Sequence, residues 1–213
     1  MKVSPIDLQS EQIRLSSDHP LVVGLTILSI ELQSSAAKVQ DDLKRTDPRH
    51  IYHPARSLHV TIKPIGLIGI QVEEGDLRAV IRGFRRVASE FESFDLTLKG
   101  LDAFPDVVYA RVDEGRDQII ELNKKLAESV KGVAAQGRHE GDEMIPHVTL
   151  ATFTAPDVDG LLAEVRRRES QFIGKMSLDR VKIVKAFLNR YYGDEEARQS
   201  AFEELEVVSL QPR

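Results

Sequence analysis

The tripeptide His-Val-Thr occurs twice in this chain, within LHVTIKPIG at residues 58–66 and within IPHVTLATF at residues 145–153. Chance would produce a His-x-Thr tripeptide only about 0.2 times in a sequence with this content of His and Thr. Both stretches are short and rich in apolar and β-branched residues, which is typical of strands. Side chains two residues apart leave the same face of a strand, so each motif presents an imidazole beside a hydroxyl: His59 with Thr61, and His147 with Thr149.

Around these motifs the chain alternates between two kinds of segment. Apolar residues at helical spacing predict helices, and short β-branched runs bounded by Pro, Gly or Asp predict strands. The predicted helices cover residues 34–43, 76–91, 115–130 and 157–168. The predicted strands cover residues 21–28, 58–62, 94–101, 107–112, 145–153, 172–178 and 181–188.

The order of these elements is βαβαβ, repeated once and followed by one more strand, which indicates an internal duplication. Measured from Leu25 and Tyr109, near the centres of the first strand of each repeat, His59 and His147 follow 34 and 38 residues later. The predicted fold class is therefore α+β, with two lobes related by a pseudo-twofold axis and facing each other across a central groove. The predicted organisation is a loosely ordered lead-in at 1–20, then one bilobal domain at 21–213, with lobes at about 21–101 and 102–188 and a C-terminal segment at 189–213.

The composition narrows the class of protein. The 213 residues include no cysteine, which excludes a disulfide framework, thiolate metal sites and cysteine nucleophiles and fits a reducing, cytosolic compartment. Twenty-nine Lys and Arg against 34 Asp and Glu give a net charge of −5, which argues against a protein that coats duplex DNA. No apolar run approaches the about 20 residues needed to cross a bilayer, and residues 1–19 lack the pattern of a secretory signal.

Two imidazoles and two hydroxyls around one small volume suit a phosphate. Displacement at phosphorus needs a base for the attacking oxygen and an acid for the leaving one, and two facing histidines can serve as both near neutral pH without a metal. The Thr hydroxyls can donate hydrogen bonds to the non-bridging oxygens. A lone His on a strand is more often structural, but matched tripeptides at matched positions favour a catalytic role for His59, Thr61, His147 and Thr149.

The two stretches resemble the signature motifs of the two-histidine (2H) phosphoesterase superfamily, within it most closely the 2′-5′ RNA ligase-like group, which includes RNA 2′,3′-cyclic phosphodiesterases. The resemblance extends from about residue 21 to the last predicted strand and includes GLDAFP at 100–105 and VYA at 108–110. It implies a bilobal α+β fold with mostly antiparallel sheets, both motifs lining the groove, and metal-independent opening of cyclic phosphates. It also implies that His59 is the acid for the leaving oxygen and His147 the base for water, an order that the residues themselves do not give.

The chain departs from the family pattern at two places. Many RNA-directed members carry an Arg shortly after the second motif, where this chain has Ala151-Thr152-Phe153, and many have Phe at the position of Pro64. Without that Arg the chain offers fewer cationic contacts to backbone phosphates. This favours a small 2′,3′-cyclic nucleotide or the end of an oligonucleotide over long RNA as the partner. The expected protein is a monomer.

Two further residues are candidates for binding the substrate. On an unbroken strand Lys63 shares the face of Thr61 and can reach a second phosphate oxygen, although a solvated strand-end Lys is an equal alternative. Tyr191, with Tyr192, can provide a platform on which a base stacks, although such residues more often lie at the rim of a site without stacking on a base.

Other features have simpler interpretations. The acidic stretch from His139 to His147 has no metal-ligand spacing and is interpreted as a solvated loop, so no metal and no cofactor is expected. The Arg residues at 78–86 and 166–168 are interpreted as the solvated faces of helices. Two rival functions stay open: a non-catalytic module that holds a nucleotide or RNA end, and a metal-dependent hydrolase that a chelator would inactivate.

Overall fold

The computed structural model describes residues 3–134 and 141–213, which form nine strands and seven α-helices. The strands are β1 (Leu21–Ile27), β2 (Ile51–Tyr52), β3 (His59–Leu67), β4 (Phe94–Ala103), β5 (Val107–Val112), β6 (His147–Thr152), β7 (Phe172–Leu178), β8 (Arg180–Ala186) and β9 (Phe202–Ser209). The helices are α1 (Glu11–Leu15), α2 (Ile30–Thr46), α3 (Leu77–Ala88), α4 (Arg116–Ser129), α5 (Asp159–Arg167), α6 (Leu188–Tyr191) and α7 (Glu195–Arg198). None of these helices is long and apolar enough to span a bilayer.

The strands form two antiparallel sheets of closely similar topology. The first sheet has the order β3-β1-β8-β9 and the second sheet has the order β2-β6-β5-β4-β7. In each, a central strand is flanked on one side by a strand that carries a His-Val-Thr motif: β1 by β3, and β5 by β6. This correspondence is the duplication predicted from the sequence, and it confirms the α+β fold class with two lobes.

The predicted boundaries of the lobes differ from the observed pairing. β4, expected in the first lobe, pairs with β5 in the second sheet, and β8, expected in the second lobe, pairs with β1 in the first. Each half of the chain therefore gives two strands to the sheet of the other half: β2 and β4 to the second sheet, and β8 and β9 to the first. Local patterns identify β8 as a strand but not its pairing with the distant β1, and the expected lobe boundary near residue 101 separated β4 from the adjacent strand β5.

Helices cover the outer face of each sheet. Helices α3 and α4 pack against the first sheet, and α2 and α5 pack against the second. In β1, Gly24 faces the fully buried ring of Phe84 in α3, whereas Val23 and Leu25 belong to a separate small apolar cluster on the opposite, inner face. The inner faces of both sheets are thus left free to line the groove.

Two elements extend beyond their predicted limits. Helix α2 begins at Ile30 rather than near residue 34, because the Ser29 side chain caps it by accepting a hydrogen bond from the backbone N–H of Leu32. Strand β3 continues through Pro64, which was expected to end it. The missing N–H of Pro64 is tolerated because β3 is an edge strand.

The N-terminal segment is more ordered than expected, and the C-terminal segment contains a strand that was not predicted. Residues 3–20 include α1, whose Ile13 is buried, and the backbone N–H groups of Ser4 and Ile6 donate to the carbonyls of Pro105 and Phe153 at 2.8 and 3.0 Å. In the C-terminal segment, β9 completes the first sheet by pairing with β8. Its three glutamates interrupt the apolar pattern that predicts a strand, so β9 was not predicted from the sequence. The glutamates are tolerated because β9 lies at the exposed edge of the sheet.

Candidate functional site

The first motif lies at the start of β3 with its polar side chains on the inner face. His59 pairs with Ile27 and Thr61 pairs with Leu25, whereas Val60 between them is fully buried beneath the sheet. The alternation predicted from the tripeptide is therefore present in the structure: the imidazole and the hydroxyl share the face that lines the groove.

The second motif repeats this arrangement at the start of β6. His147 pairs with Arg111, and Thr149 pairs with Tyr109, while Val148 is fully buried on the other face. Because β6 holds the place in the second sheet that β3 holds in the first, the two motifs are structural counterparts.

A carbonyl two residues upstream orients each imidazole. The His59 ring lies with Nδ1 2.7 Å from the carbonyl oxygen of Ser57, and the His147 ring lies with Nδ1 2.7 Å from that of Ile145. A carbonyl only accepts hydrogen bonds, so Nδ1 carries the proton in both rings. In both histidines Nε2 is thereby left as the nitrogen that can exchange a proton with a substrate.

Aromatic rings fix each imidazole from the side. His59 meets the rings of Phe202 and Tyr191 nearly edge-on, with centroids 5.2 and 6.2 Å away. His147 meets Phe104 in the same manner at 5.2 Å and lies 5.1 Å from Tyr109. Packing and the carbonyl bond together hold each ring in one orientation, as a site prepared for proton transfer requires.

Burial makes both histidines weak bases in the free protein. It lowers the pKa of His59 to about 4, against the opposing effect of the bond to Ser57 and with a smaller contribution from the charge of His147. Burial also lowers the pKa of His147, opposed by its bond to Ile145 and by the Asp106 carboxylate.

A cavity of about 600 Å³ joins the two motifs. Its lining includes Thr61 from β3 and His147 from β6, so residues from both sheets border the same volume. Much of the remaining wall is apolar and is formed by Phe104, Pro105 and Ile145. Two carboxylates, Asp106 and Glu143, complete this end of the cavity.

The structure does not bring Lys63 to the face of Thr61. A bulge in β3 places Lys63 opposite Gly24, whereas Thr61 stays opposite Leu25. Gly24 faces helix α3, so the bulge turns Lys63 away from the groove. Lys63 is only 1% exposed and is not the strand-end cation expected from an unbroken strand.

Tyr191 lies beside His59 and already stacks on a protein ring. Its ring is parallel to that of His53, with centroids 4.3 Å apart, so one of its two faces is not open to a base. His53 in turn places Nε2 3.0 Å from the Thr152 hydroxyl, at the end of β6. The residues around His53 give no indication of this contact, because Thr152 lies 99 positions away along the chain.

The described part of the chain contains no group of three or more His, Asp or Glu side chains that could hold a metal ion. His139 and Glu140, considered above as part of a solvated acidic loop, lie outside the described residues. Within the same stretch, Asp142 accepts a hydrogen bond from Lys124 at 2.6 Å, and Glu143 lines the cavity.

Known proteins are similar to this chain in sequence and in fold. A model of the 2′-5′ RNA ligase superfamily matches residues 29–186. An RNA 2′,3′-cyclic phosphodiesterase of Methanothermobacter thermautotrophicus is 26% identical over 162 residues, which cover 74% of this chain and 84% of that protein. Two solved structures cover 90% of this chain and 98% of their own: a Thermus thermophilus protein with a TM-score of 0.66 at 19% identity, and E. coli LigT complexed with 3′-AMP, with a TM-score of 0.67 at 14% identity.

Proposed function

Because this chain belongs to the 2′-5′ RNA ligase superfamily, we propose that it hydrolyses the 2′,3′-cyclic phosphate of a nucleotide or an RNA end without a metal. One observation carries the proposal: two His-Val-Thr motifs, each with its imidazole held through Nδ1, lie on two sheets and contribute Thr61 and His147 to the wall of one cavity. The name of the archaeal relative, an RNA 2′,3′-cyclic phosphodiesterase, supports the same substrate class.

In the proposed reaction a water molecule attacks phosphorus while one ribose oxygen leaves. His147 takes a proton from the water through Nε2, and His59 gives a proton to the departing ribose oxygen, the order implied by the family resemblance. The new phosphorus–oxygen bond replaces the broken one, so the product is a monoester on the other ribose oxygen. Thr61 and Thr149 donate hydrogen bonds to the non-bridging oxygens, where negative charge increases in the transition state.

The two histidines take up a proton when the anionic substrate binds. In the free protein burial lowers both pKa values below the usual 6.5. A phosphate anion beside the rings favours the imidazolium form and raises these values again. Substrate binding therefore supplies the protonated acid that the leaving oxygen needs.

The apolar wall of the cavity suits the nucleobase. Phe104, Pro105 and Ile145 offer surface for ring stacking and apolar contact, and the neighbouring carboxylates of Asp106 and Glu143 disfavour any phosphate there beyond the reacting one. We therefore place the base of the terminal nucleotide beside His147.

The decisive experiment is incubation of the protein with each of the four 2′,3′-cyclic mononucleotides and with an RNA that ends in a cyclic phosphate, with a chelator present throughout. We expect a nucleoside 2′- or 3′-phosphate product, identified by chromatography against standards. Saturable binding without product would indicate a binding module instead. Activity that appears only when the chelator is omitted would indicate a metal-dependent hydrolase.

A further inference from the structure

We propose that a second cavity, beside His59, is a subsite for the phosphate attached to the 5′ oxygen of the terminal nucleotide. The inference rests on the function proposed above and deepens it, since it names the substrate as one that carries an additional phosphate. In an oligonucleotide this group is the phosphodiester that precedes the cyclic end, and in a mononucleotide it is a 5′-phosphate.

The second cavity has a volume of about 250 Å³ and adjoins the first motif directly. Ser57, whose carbonyl accepts the hydrogen bond from His59, forms part of its wall, and so does Phe202, which packs against the same imidazole. A ligand in this cavity therefore lies beside the two residues that contact the His59 ring.

The wall of this cavity is rich in positive charge. It includes Arg56, Lys182 and Arg198, with Glu204 as the one acidic residue. Lys182 donates to Glu204 at 2.7 Å, so this pair is neutral as a unit. Within the described part of the chain no carboxylate lies within ion-pair distance of Arg56 or Arg198, and the two guanidinium charges are uncompensated.

The hydrogen bonds of both guanidinium groups leave donors available. Arg198 donates from Nη1 to the carbonyl of Gly193 at 2.6 Å, and its buried Nε has no partner. Arg56 makes a single long bond, from Nη2 to the carbonyl of Gln199 at 3.4 Å. Guanidinium groups bind phosphate oxygens with two parallel hydrogen bonds, so two of them on one small cavity form a phosphate site.

The distribution of charge along the groove gives the substrate a direction. The end beside His147 carries Asp106 and Glu143, and the end beside His59 carries Arg56 and Arg198. A nucleotide that places its base near His147 therefore directs its 5′ phosphate towards the two arginines. This distribution of charge favours oligonucleotide ends as substrates. The absence of an Arg after the second motif had favoured smaller substrates.

The test compares three substrates: a nucleoside 2′,3′-cyclic phosphate, its 5′-phosphorylated form, and a dinucleotide with a cyclic end. We expect kcat/KM to be about tenfold higher for the two substrates with the additional phosphate, which corresponds to one charge-assisted hydrogen-bonded contact. The variants are Arg198→Gln and Arg56→Gln, and both should lower this ratio towards one. Arg166→Gln, an exposed position on the outer helix α5, is the matched control and should keep the ratio.

A ratio that stays high in both variants would overturn the proposal, and so would a ratio that falls equally in the Arg166 control. Loss of the preference for both phosphorylated substrates identifies a general 5′-phosphate site, and loss for the dinucleotide alone identifies a site for the phosphodiester. Titration calorimetry with a dinucleoside 3′-phosphate and with a nucleoside 3′-phosphate measures the corresponding ratio of binding affinities without turnover. The subsite is thus tested even where the proposed hydrolysis fails.

Discussion

Each imidazole of the site is held by the same two means, a carbonyl two residues upstream and an edge-on aromatic contact. Two separate stretches of the chain thus hold their imidazoles in the same way. The carbonyl of Ser57 accepts a hydrogen bond from His59, and the carbonyl of Ile145 accepts one from His147. In the proposed reaction, the base that takes a proton from water and the acid that gives one to the ribose oxygen both need a fixed Nδ1–H and a free Nε2. The repetition is what an enzyme with two proton-transfer steps requires.

Replacing either imidazole should abolish most of the activity. We expect His59→Ala and His147→Ala each to lower kcat by at least about 100-fold on a 2′,3′-cyclic nucleotide, because each removes a proton-transfer group. His19→Ala is the control, since His19 bonds to the carbonyl of Ile68 outside the groove. Circular dichroism of the variants checks that the fold is intact, and wild-type turnover in either groove variant would contradict the assigned role.

The pH dependence should reflect the lowered pKa values of the free protein. The productive form carries one proton on the two histidines, and burial places the pKa of His59 at about 4 and that of His147 below its usual value. The maximum of kcat/KM, which reports the free enzyme, should therefore lie below about pH 6.5. The kcat profile should lie at higher pH, because bound phosphate raises both values. A kcat/KM maximum above neutrality would refute this account.

The residue types and spacing of the motifs were sufficient to predict the shared face of His59 and Thr61, because a strand has a fixed period of two. They were not sufficient for Lys63, since a bulge at Ile62 changes the period and leaves no mark in the sequence. Tyr191 was identified as an aromatic near the end of the fold, but its stack on His53 depends on contacts between distant segments.

At the scale of elements, β1 is packed closely against α3 through a glycine. A Cβ at Gly24 would overlap the ring of Phe84, which is fully buried and cannot withdraw. We expect Gly24→Ala to lower the free energy of unfolding by about 1–3 kcal/mol, the usual cost of overpacking. Urea denaturation measures the change, with Gly75→Ala as the control because a Cβ there meets nothing within 4 Å. Equal stability of the two variants would mean that α3 shifts freely on the sheet.

Most helices and strands were predictable to within a few residues, since their apolar periodicity is local. The exceptions have physical causes that lie elsewhere in the fold. Strand β3 continues through Pro64 because the lost N–H lies at a sheet edge, and the acidic strand β9 is stable because β8 supplies its partner. The predicted lobe boundaries misplaced β4 and β8 for the same reason, since the pairing of a strand depends on the fold of the whole chain.

At the scale of the whole molecule, the buried histidines link stability to pH. Burial lowers the pKa of His50, His53, His59 and His147, and that of His53 falls to about 3. Below about pH 6.5 the unfolded chain binds more protons than the folded one, so stability is complete above that pH and declines as the pH falls towards the folded-state values.

We expect the free energy of unfolding, measured with urea, to fall between pH 7.5 and pH 5. For His53 alone the decline approaches about 1.4 kcal/mol per pH unit below its unfolded pKa. His53→Gln should flatten this dependence, whereas His19→Gln, at a position outside the buried set, should keep it. A stability that is constant or rising towards pH 5 would show that these rings are not neutral in the folded state.

The exchange of strands between the halves also has a consequence for how the protein is made. Leu21 in β1 pairs with Ala186 in β8, so a ribosome must synthesise nearly the whole chain before β1 acquires its second neighbour. Until then the nascent polypeptide carries an unsatisfied apolar edge that invites aggregation. Neither half is a self-sufficient folding unit, and a chain terminated before β8 has no means of closing its first sheet.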